Sequence, residues 1–366
     1  MNDLHELLRH ARELEVSDVH LKVGRKPILR IQKQLTEYGE WDQPLTDDQI
    51  HEFTTILIPP AFLSKLKTDH ELDFAFESPD TGRFRVNAFF QRGHIGMVLR
   101  RIKEQVASFA DLSLPPVLET ISQTHDGLIL VTGPTGCGKS TTLSAIINYI
   151  NEHEVRHIVT IEDPIEFLYT DRQSVINQRE VGLDTDSFEA ALRHVLRQNP
   201  DVIMIGELRD AKSFEAAVAA SETGHLVLAT LHTNDTITTI RRLLDFFPTS
   251  QHDQVRKVLA YHLKATVCQK IVPRKSKDGM VPVCEIMLVT PMISKLIQDD
   301  RLSKIAAAMG SDKVSGSQSF NRHLVQLIQS ETIEKEAGFT VSPSPDMLEM
   351  NLRGIYLDED SAIIGD

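Results

Sequence analysis

Residues 127 to 150 read GLILVTGPTGCGKSTTLSAIINYI, and the order of chemistry along them decides the fold. The first six are apolar and β-prone. Gly133-Pro134-Thr135-Gly136-Cys137-Gly138-Lys139-Ser140 follows, and a segment rich in Leu, Ala and Ile then favours helix. Strand, glycine-rich loop and helix in that order, carrying GxxxxGK[ST], make a phosphate-binding loop. Gly133, Gly136 and Gly138 permit backbone dihedrals that turn successive N–H groups toward a phosphate, and the helix adds the positive end of its dipole. Lys139 is expected to reach the β- and γ-phosphates of ATP as a point charge. The hydroxyl of Ser140, or alternatively that of Thr141, is expected on Mg²⁺. Cys137 reads as a small loop residue rather than a catalytic thiol.

Around this stretch the chain has 366 residues, which fits two domains, because single cores stop growing beyond about 250–300 residues. Its net charge of −13 argues against general nucleic-acid binding, which needs a basic footprint. No apolar run approaches the roughly 18 residues of a membrane span, and MNDLHELLRHARELEVS lacks the basic-then-apolar order of a signal peptide. A cytoplasmic protein is therefore expected. Cys137, Cys268 and Cys284 are far apart in sequence and form no CxxC pair, so neither a zinc knuckle nor a disulfide framework is indicated.

Upstream, residues 3–14 carry leucines at helical spacing. Two short strands follow at 18–23 and 28–31, then a helix capped by Thr46 and ended by Pro59-Pro60. Residues 71–77 alternate and form a hairpin with 83–92 across Ser78-Pro79-Asp80-Thr81-Gly82. Phe84, Val86, Ala88 and Phe90 share one face of that strand; Arg83, Arg85 and Asn87 share the other. A further strand is expected at 95–102. The reading is a small α+β domain over 1–102 with a mostly antiparallel sheet, then a linker at 103–116 ending in Pro115-Pro116.

Beyond the linker the pattern changes. Helix 116–123, strand 127–132, helix 139–151, strand 157–162, helix 187–198, strand 201–207, helix 211–223 and strand 225–231 alternate at βα spacing. That is an α/β fold, a mainly parallel sheet covered by helices on both faces. The rest, to about 340, is expected to be helical, and 341–366 to be an acidic, loosely ordered tail.

Ligands of such sheets lie beyond the carboxyl ends of the strands. Strand 157–162 delivers Glu162-Asp163-Pro164-Ile165-Glu166, and strand 201–207 ends in Glu207. Either acid cluster is able to serve Mg²⁺ or to orient an attacking water. Glu207 is the expected Mg²⁺-side carboxylate and Glu166 the water-orienting residue, with Glu162 the competitor for that role. His232 closes the strand that His225 opens. Seven residues of strand is about 23 Å, so only His232 faces the nucleotide side and the two cannot share a metal. His225 reads as structural.

With GPTGCGKS, IEDPIEF, NPDVIMIGELRD and TGHLVLATLHTND in order, the chain resembles the secretion-ATPase superfamily, and within it the type IV pilus retraction ATPases of the PilT/PilU type. SDVHLKVGRKPILRI, GRFRVNAFFQRG, INQREVGLDTDSF and SPSPDMLEMNLRG extend the resemblance over nearly the whole length. It implies a ring-shaped homohexamer with a PAS-like N-terminal domain and a RecA-like motor domain over 117–340. Walker A then falls at Gly133–Ser140, the acidic box at Ile161–Glu166, an atypical Walker B at Asp201–Glu207 and the histidine box at His225–His232. The resemblance further implies arginines from the N-terminal domain on the nucleotide, with Arg83, Arg85, Arg92, Arg100 and Arg101 the candidates. Implied partners are an inner-membrane platform protein and, in a hetero-complex, a paralogous retraction ATPase, with a location peripheral to the inner membrane at the pilus base. Residues 291–298, PMISKLIQ, lack the arginine and glutamate of the retraction members' AIRNLIRE-like helix. The four-cysteine zinc insertion and longer N-terminal region of assembly and type II secretion ATPases are not present either.

Overall fold

The computed structural model describes residues 3–31, 34–102, 106–276, 279–311 and 316–355. The described chain divides into two compact units between residues 105 and 106, with Glu166–Leu168 grouped with the first.

The first unit runs α1 (Leu4–Glu13), β1 (Asp18–Lys22), β2 (Ile28–Ile31), β3 (Gln34–Glu37), α2 (Asp47–Leu57), α3 (Pro60–Asp69), β4 (Glu71–Ser78), β5 (Gly82–Gln91) and β6 (His94–Arg101). Its sheet has the order β3-β2-β1-β6-β5-β4 and is antiparallel throughout. Alternation sorts the two faces: Phe84, Val86, Ala88, Val19 and Leu99 are buried with Leu4, Leu7, Leu8 and Phe53 of the helices. Thr46 begins α2 with a capping box to Gln49. The edge strand β3 is not among the expected elements, because QLTE offers no buried alternation; all four of its residues are exposed.

The second unit runs α4 (Val117–Ser122), β7 (Gly127–Thr132), α5 (Lys139–His153), β8 (His157–Glu162), β9 (Val175–Glu180), α6 (Phe188–Val195), β10 (Val202–Ile205), α7 (Ala211–Glu222), β11 (Leu226–Leu231), α8 (Thr236–Leu244), α9 (His252–His262), β12 (Leu263–Pro273), β13 (Met280–Leu288), α10 (Pro291–Gln298), α11 (Ile305–Ser311), α12 (Phe320–Gln329), α13 (Lys335–Val341) and α14 (Pro345–Leu352). The α/β class read from the sequence is the class found. The sheet order is β13-β12-β7-β11-β10-β8-β9, parallel except for β13. Leu128 and Leu130 of β7 enter a core with α6 to α11; Ile129 and Val131 enter another with α4 and α5. Both faces are thus covered, as a parallel sheet requires.

Three expectations need correction. The region after β11 is not helical throughout: β12 and β13 form a hairpin that extends the sheet beside β7. Its strands are largely buried on both sides, which weakens the period-2 signal that separates a strand from buried helix. The tail is not loosely ordered from 341, since α14 places Leu348 in a core with Phe320 and Leu324 of α12; residues 356–366 lie outside the described residues. The expected linker from Val106 onward packs too, with Phe109 and Leu114 buried beside Leu118, while residues 103–105 lie outside the described residues. A parallel edge strand, β9, is also absent from the sequence reading, its VINQRE being polar for a strand in a parallel sheet. Among the described residues no helix is long and apolar enough to cross a membrane.

Candidate nucleotide-phosphate site

The loop between β7 and α5 has the backbone that its glycines allow. Gly133, Gly136 and Gly138 have φ of 146°, 80° and 91°, and a Cβ added at Gly133 would stand 2.4 Å from the Gln269 carbonyl oxygen. At the N-terminus of α5 the cap residue is Gly138, with no side-chain hydrogen bond to the first turn. The first-turn N–H groups of a helix have no intrahelical partner. This end therefore presents uncapped donors and the positive end of the dipole, which suits a phosphate oxygen.

Lys139 folds back over this loop. Its Nζ donates to the Gly133 carbonyl at 2.9 Å and the Pro134 carbonyl at 3.2 Å, and stands 3.3 Å from His232 Nδ1. An ammonium has only donors, so His232 Nδ1 accepts and its proton sits on Nε2. That Nε2 is 3.2 Å from Glu207 Oε1, which completes a relay from Lys139 through His232 to Glu207. Glu207 also accepts from Arg209 Nε at 2.7 Å, and Arg209 reaches Asp163 at 3.7 Å. Four strand ends, those of β7, β11, β10 and β8, contribute to one connected polar cluster.

The other carboxylates separate by burial. Glu162, the last residue of β8, is 7% exposed and accepts from Thr160 Oγ1 at 2.6 Å and Gln178 Nε2 at 3.2 Å. Beside it in register is Glu180, whose Oε2 accepts from the Ile165 N–H at 3.3 Å. Glu166 is exposed and takes no part in the relay. His225 is at the opposite end of β11, its Nδ1 near the Ala220 carbonyl and Thr223 hydroxyl, an arrangement that closes the α7 terminus. Burial pushes the Cys137 thiol up from its ordinary value, with the nearby Lys139 charge opposing. That is the behaviour of a packing residue and not of a nucleophile.

Ser140 and Thr141 occupy the first turn of α5. Among the described residues no three His, Cys, Asp or Glu side chains converge as a metal cage. Mg²⁺ in a phosphate site takes one or two protein oxygens and fills its shell with water and phosphate oxygens, so a hydroxyl and a carboxylate are a fitting donor set.

In the first unit the arginines lie on β5, β6 and the turn between them. Arg83 donates to Glu77 at 2.9 Å, Arg100 to Asp18 at 3.0 Å and Arg101 to the Val16 carbonyl at 3.2 Å, while Arg85 is 3.9 Å from Asp73. Arg92 sits in the turn with φ 51°. Asp18 is buried, which by itself raises a carboxyl pKa, but hydrogen bonds from Arg100 and Ser17 outweigh this and hold it below the usual value.

Sequence reasoning missed Arg209 and Gln269. Arg209 had a signal, since it follows Glu207 by two residues in GELRD at a strand end. Gln269 had none, because the strand that carries it has no signal of its own.

A family model described as "Type II/IV secretion system protein" matches residues 3–344. The type IV pilus ATPase PilU of Pseudomonas aeruginosa is 38% identical over 351 residues, 96% of this chain and 91% of PilU. The type IV pilus retraction ATPase PilT of the same organism is also 38% identical, over 91% of this chain and 96% of PilT. A crystal structure described as the pilus retraction motor PilT with bound ADP superposes with a TM-score of 0.89 at 39% identity, covering 95% of this chain and 99% of that one. By this match over nearly its whole length, the chain belongs to the type II/IV secretion system protein family.

Proposed function

We propose that this protein is an ATP hydrolase that drives type IV pilus retraction, the motor of twitching motility. The observation that carries the reading is the uncapped N-terminus of α5 with Lys139, His232 and Glu207 linked beside it. Backbone amides of Gly133–Ser140, with Pro134, Thr135, Cys137 and Thr141 shaping the loop, hold the β- and γ-phosphates. Lys139 exchanges its loop carbonyls for phosphate oxygens, since a charged acceptor makes the stronger hydrogen bond. Ser140 and Glu207 hold Mg²⁺, which supplies charge neutralisation at the β- and γ-oxygens. Released from Lys139, His232 stays linked to Glu207 through Nε2 and stands on the γ-phosphate side, where it senses whether that phosphate is present. Glu166 orients the attacking water; Glu162, buried and already accepting two hydrogen bonds, is suited to shaping the acidic turn. One or more of Arg83, Arg85, Arg92, Arg100 and Arg101 neutralise charge on the nucleotide.

The organisation that accompanies this reading is a homohexameric ring at the cytoplasmic face of the inner membrane. A PAS-like domain spans 1–102 and a RecA-like motor domain 117–340, and the ring acts on a platform protein of the pilus machine. Purified protein is expected to elute as a hexamer and to hydrolyse Mg-ATP without stimulation by DNA, and Lys139→Gln to keep the ring but not the turnover. Undiminished hydrolysis by Lys139→Gln sinks the proposal.

A second reading has its own support: identity to PilU equals identity to PilT, and α10 replaces the charged retraction helix with PMISKLIQ. On that reading the chain is an accessory partner of a main retraction ATPase. A deletion strain separates them, because loss of the main motor leaves excess pili and abolishes twitching, whereas loss of an accessory leaves pilus number near normal.

A further inference from the structure

Behind the phosphate loop a buried glutamine holds the loop backbone. Gln269 lies on β12, which pairs in parallel with β7, and is 1% exposed. Its Nε2 donates to the Cys137 carbonyl at 2.8 Å, and its Oε1 has no hydrogen-bond partner among the described residues. Leaving one end of a buried amide unpaired costs stability, and a methionine of the same length would fill the space without that cost. Packing alone therefore gives no reason for glutamine here.

The bond it makes supplies one. The Cys137 carbonyl and the Gly138 N–H belong to one peptide unit, and among the described residues the cis bond is elsewhere, at Asp163–Pro164. In a planar trans unit the C=O and the N–H point in opposite directions. Holding the Cys137 oxygen toward β12 aims the Gly138 N–H away from β12, toward the side that the uncapped first turn of α5 serves. Gly138 has φ 91° and no Cβ, so its own sterics leave that plane free to rotate. We propose that Gln269 is a positioning residue for the phosphate loop: its amide fixes the Cys137–Gly138 peptide plane so that the Gly138 N–H is a preset donor to a nucleotide phosphate. This rests on the reading of Gly133–Ser140 as a phosphate cradle.

The test uses the full-length chain and ADP as probe. Gln269→Met is expected to keep or raise the melting temperature of the ligand-free protein while weakening ADP binding by about tenfold, the worth of one hydrogen bond to a charged group. The KM for Mg-ATP should rise with little change in kcat. Gln269→Glu, which at neutral pH presents a carboxylate to the Cys137 carbonyl, should weaken binding further. Wild-type ADP affinity in folded Gln269→Met overturns the proposal. So does a loss of melting temperature that parallels the loss of affinity, since that marks a merely structural role. Should Gln269→Met not fold, Gln269→Asn, whose amide falls one methylene short, carries the same two outcomes. Lys139→Gln runs alongside: if it binds ADP as the wild type does, the cradle reading itself is wrong. If it loses ADP while Gln269→Met does not, only the role of Gln269 fails.

Discussion

Helices that follow the parallel strands of the large sheet begin in two different ways. Ser187 caps α6, Asp210 caps α7 and Asp235 caps α8, each with a side-chain oxygen accepting from the first turn, the last two as capping boxes. The helix after β7 begins at Gly138, which has no side chain to offer. Three ends are closed by the chain itself, and the fourth leaves the same donors for something else. An end that nothing caps costs about 1 kcal/mol relative to a capped one. On the proposed reading that cost is offset when an anion arrives, so the open end would give binding where the closed ends give stability.

The largest effects should come from closing or discharging the open end. Gly138→Asp sets a carboxylate at the open end, at a backbone conformation that disfavours a side chain and with its Cβ 3.3 Å from Gln269 Nε2. ADP binding, measured by titration calorimetry, should fall by at least about 100-fold, as for Lys139→Gln. Retained binding in Gly138→Asp breaks the comparison outright. One step smaller, Glu207→Gln keeps the open end and removes the carboxylate that His232 and Arg209 share. Turnover should drop about 10²–10³-fold with ADP affinity nearly unchanged.

The acidic turn after β8 sharpens the contrast between residues that hold the fold and residues that act. Glu162→Gln replaces a carboxylate that accepts from Thr160 and Gln178 in a buried site, so it should lower stability by roughly 1–3 kcal/mol in denaturant melts. Glu166→Gln, at an exposed position, should leave stability within about 0.5 kcal/mol. If Glu166 orients the water, its kcat falls while its stability does not; a normal kcat transfers the role to Glu162.

The open end was legible in the sequence and its support was not. GPTGCGKS between an apolar run and a helix former specifies the loop, because the backbone at Gly133 and Gly138 takes positive φ that glycine adopts freely. Glu207 and His232 were legible from their place at strand ends, and so was the α/β class. The link from Lys139 through His232 to Glu207 depends on tertiary positions of β7, β11 and β10 that spacing along the chain does not encode. Gln269 was hidden for a different reason. Leu263–Pro273 and Met280–Leu288 are buried on both faces, which erases the alternation that marks a strand, and nearby amphipathic helices made a helical reading the natural one. The tail misled by composition: Ser342-Pro343-Ser344-Pro345 and the acids beyond it suggest disorder, yet Leu348, with Leu352 packed against the same core, seats α14 against α12.

The smallest effect tests whether the closed ends and the open end obey the same physics. Ser187 Oγ accepts from the Ala190 N–H at 3.1 Å, so Ser187→Ala should cost about 1 kcal/mol of stability. ADP should stabilise the wild type by RT ln(1 + [L]/Kd), about 2.7 kcal/mol at 100 times Kd. If a cap and a phosphate satisfy independent helix ends, the two contributions add. Melts of wild type and Ser187→Ala, each with and without ADP, should then give the same nucleotide increment in both proteins. An increment that shrinks in Ser187→Ala means that the end of α6 and the phosphate loop are coupled. The division into ends that give stability and an end that gives binding would then not hold.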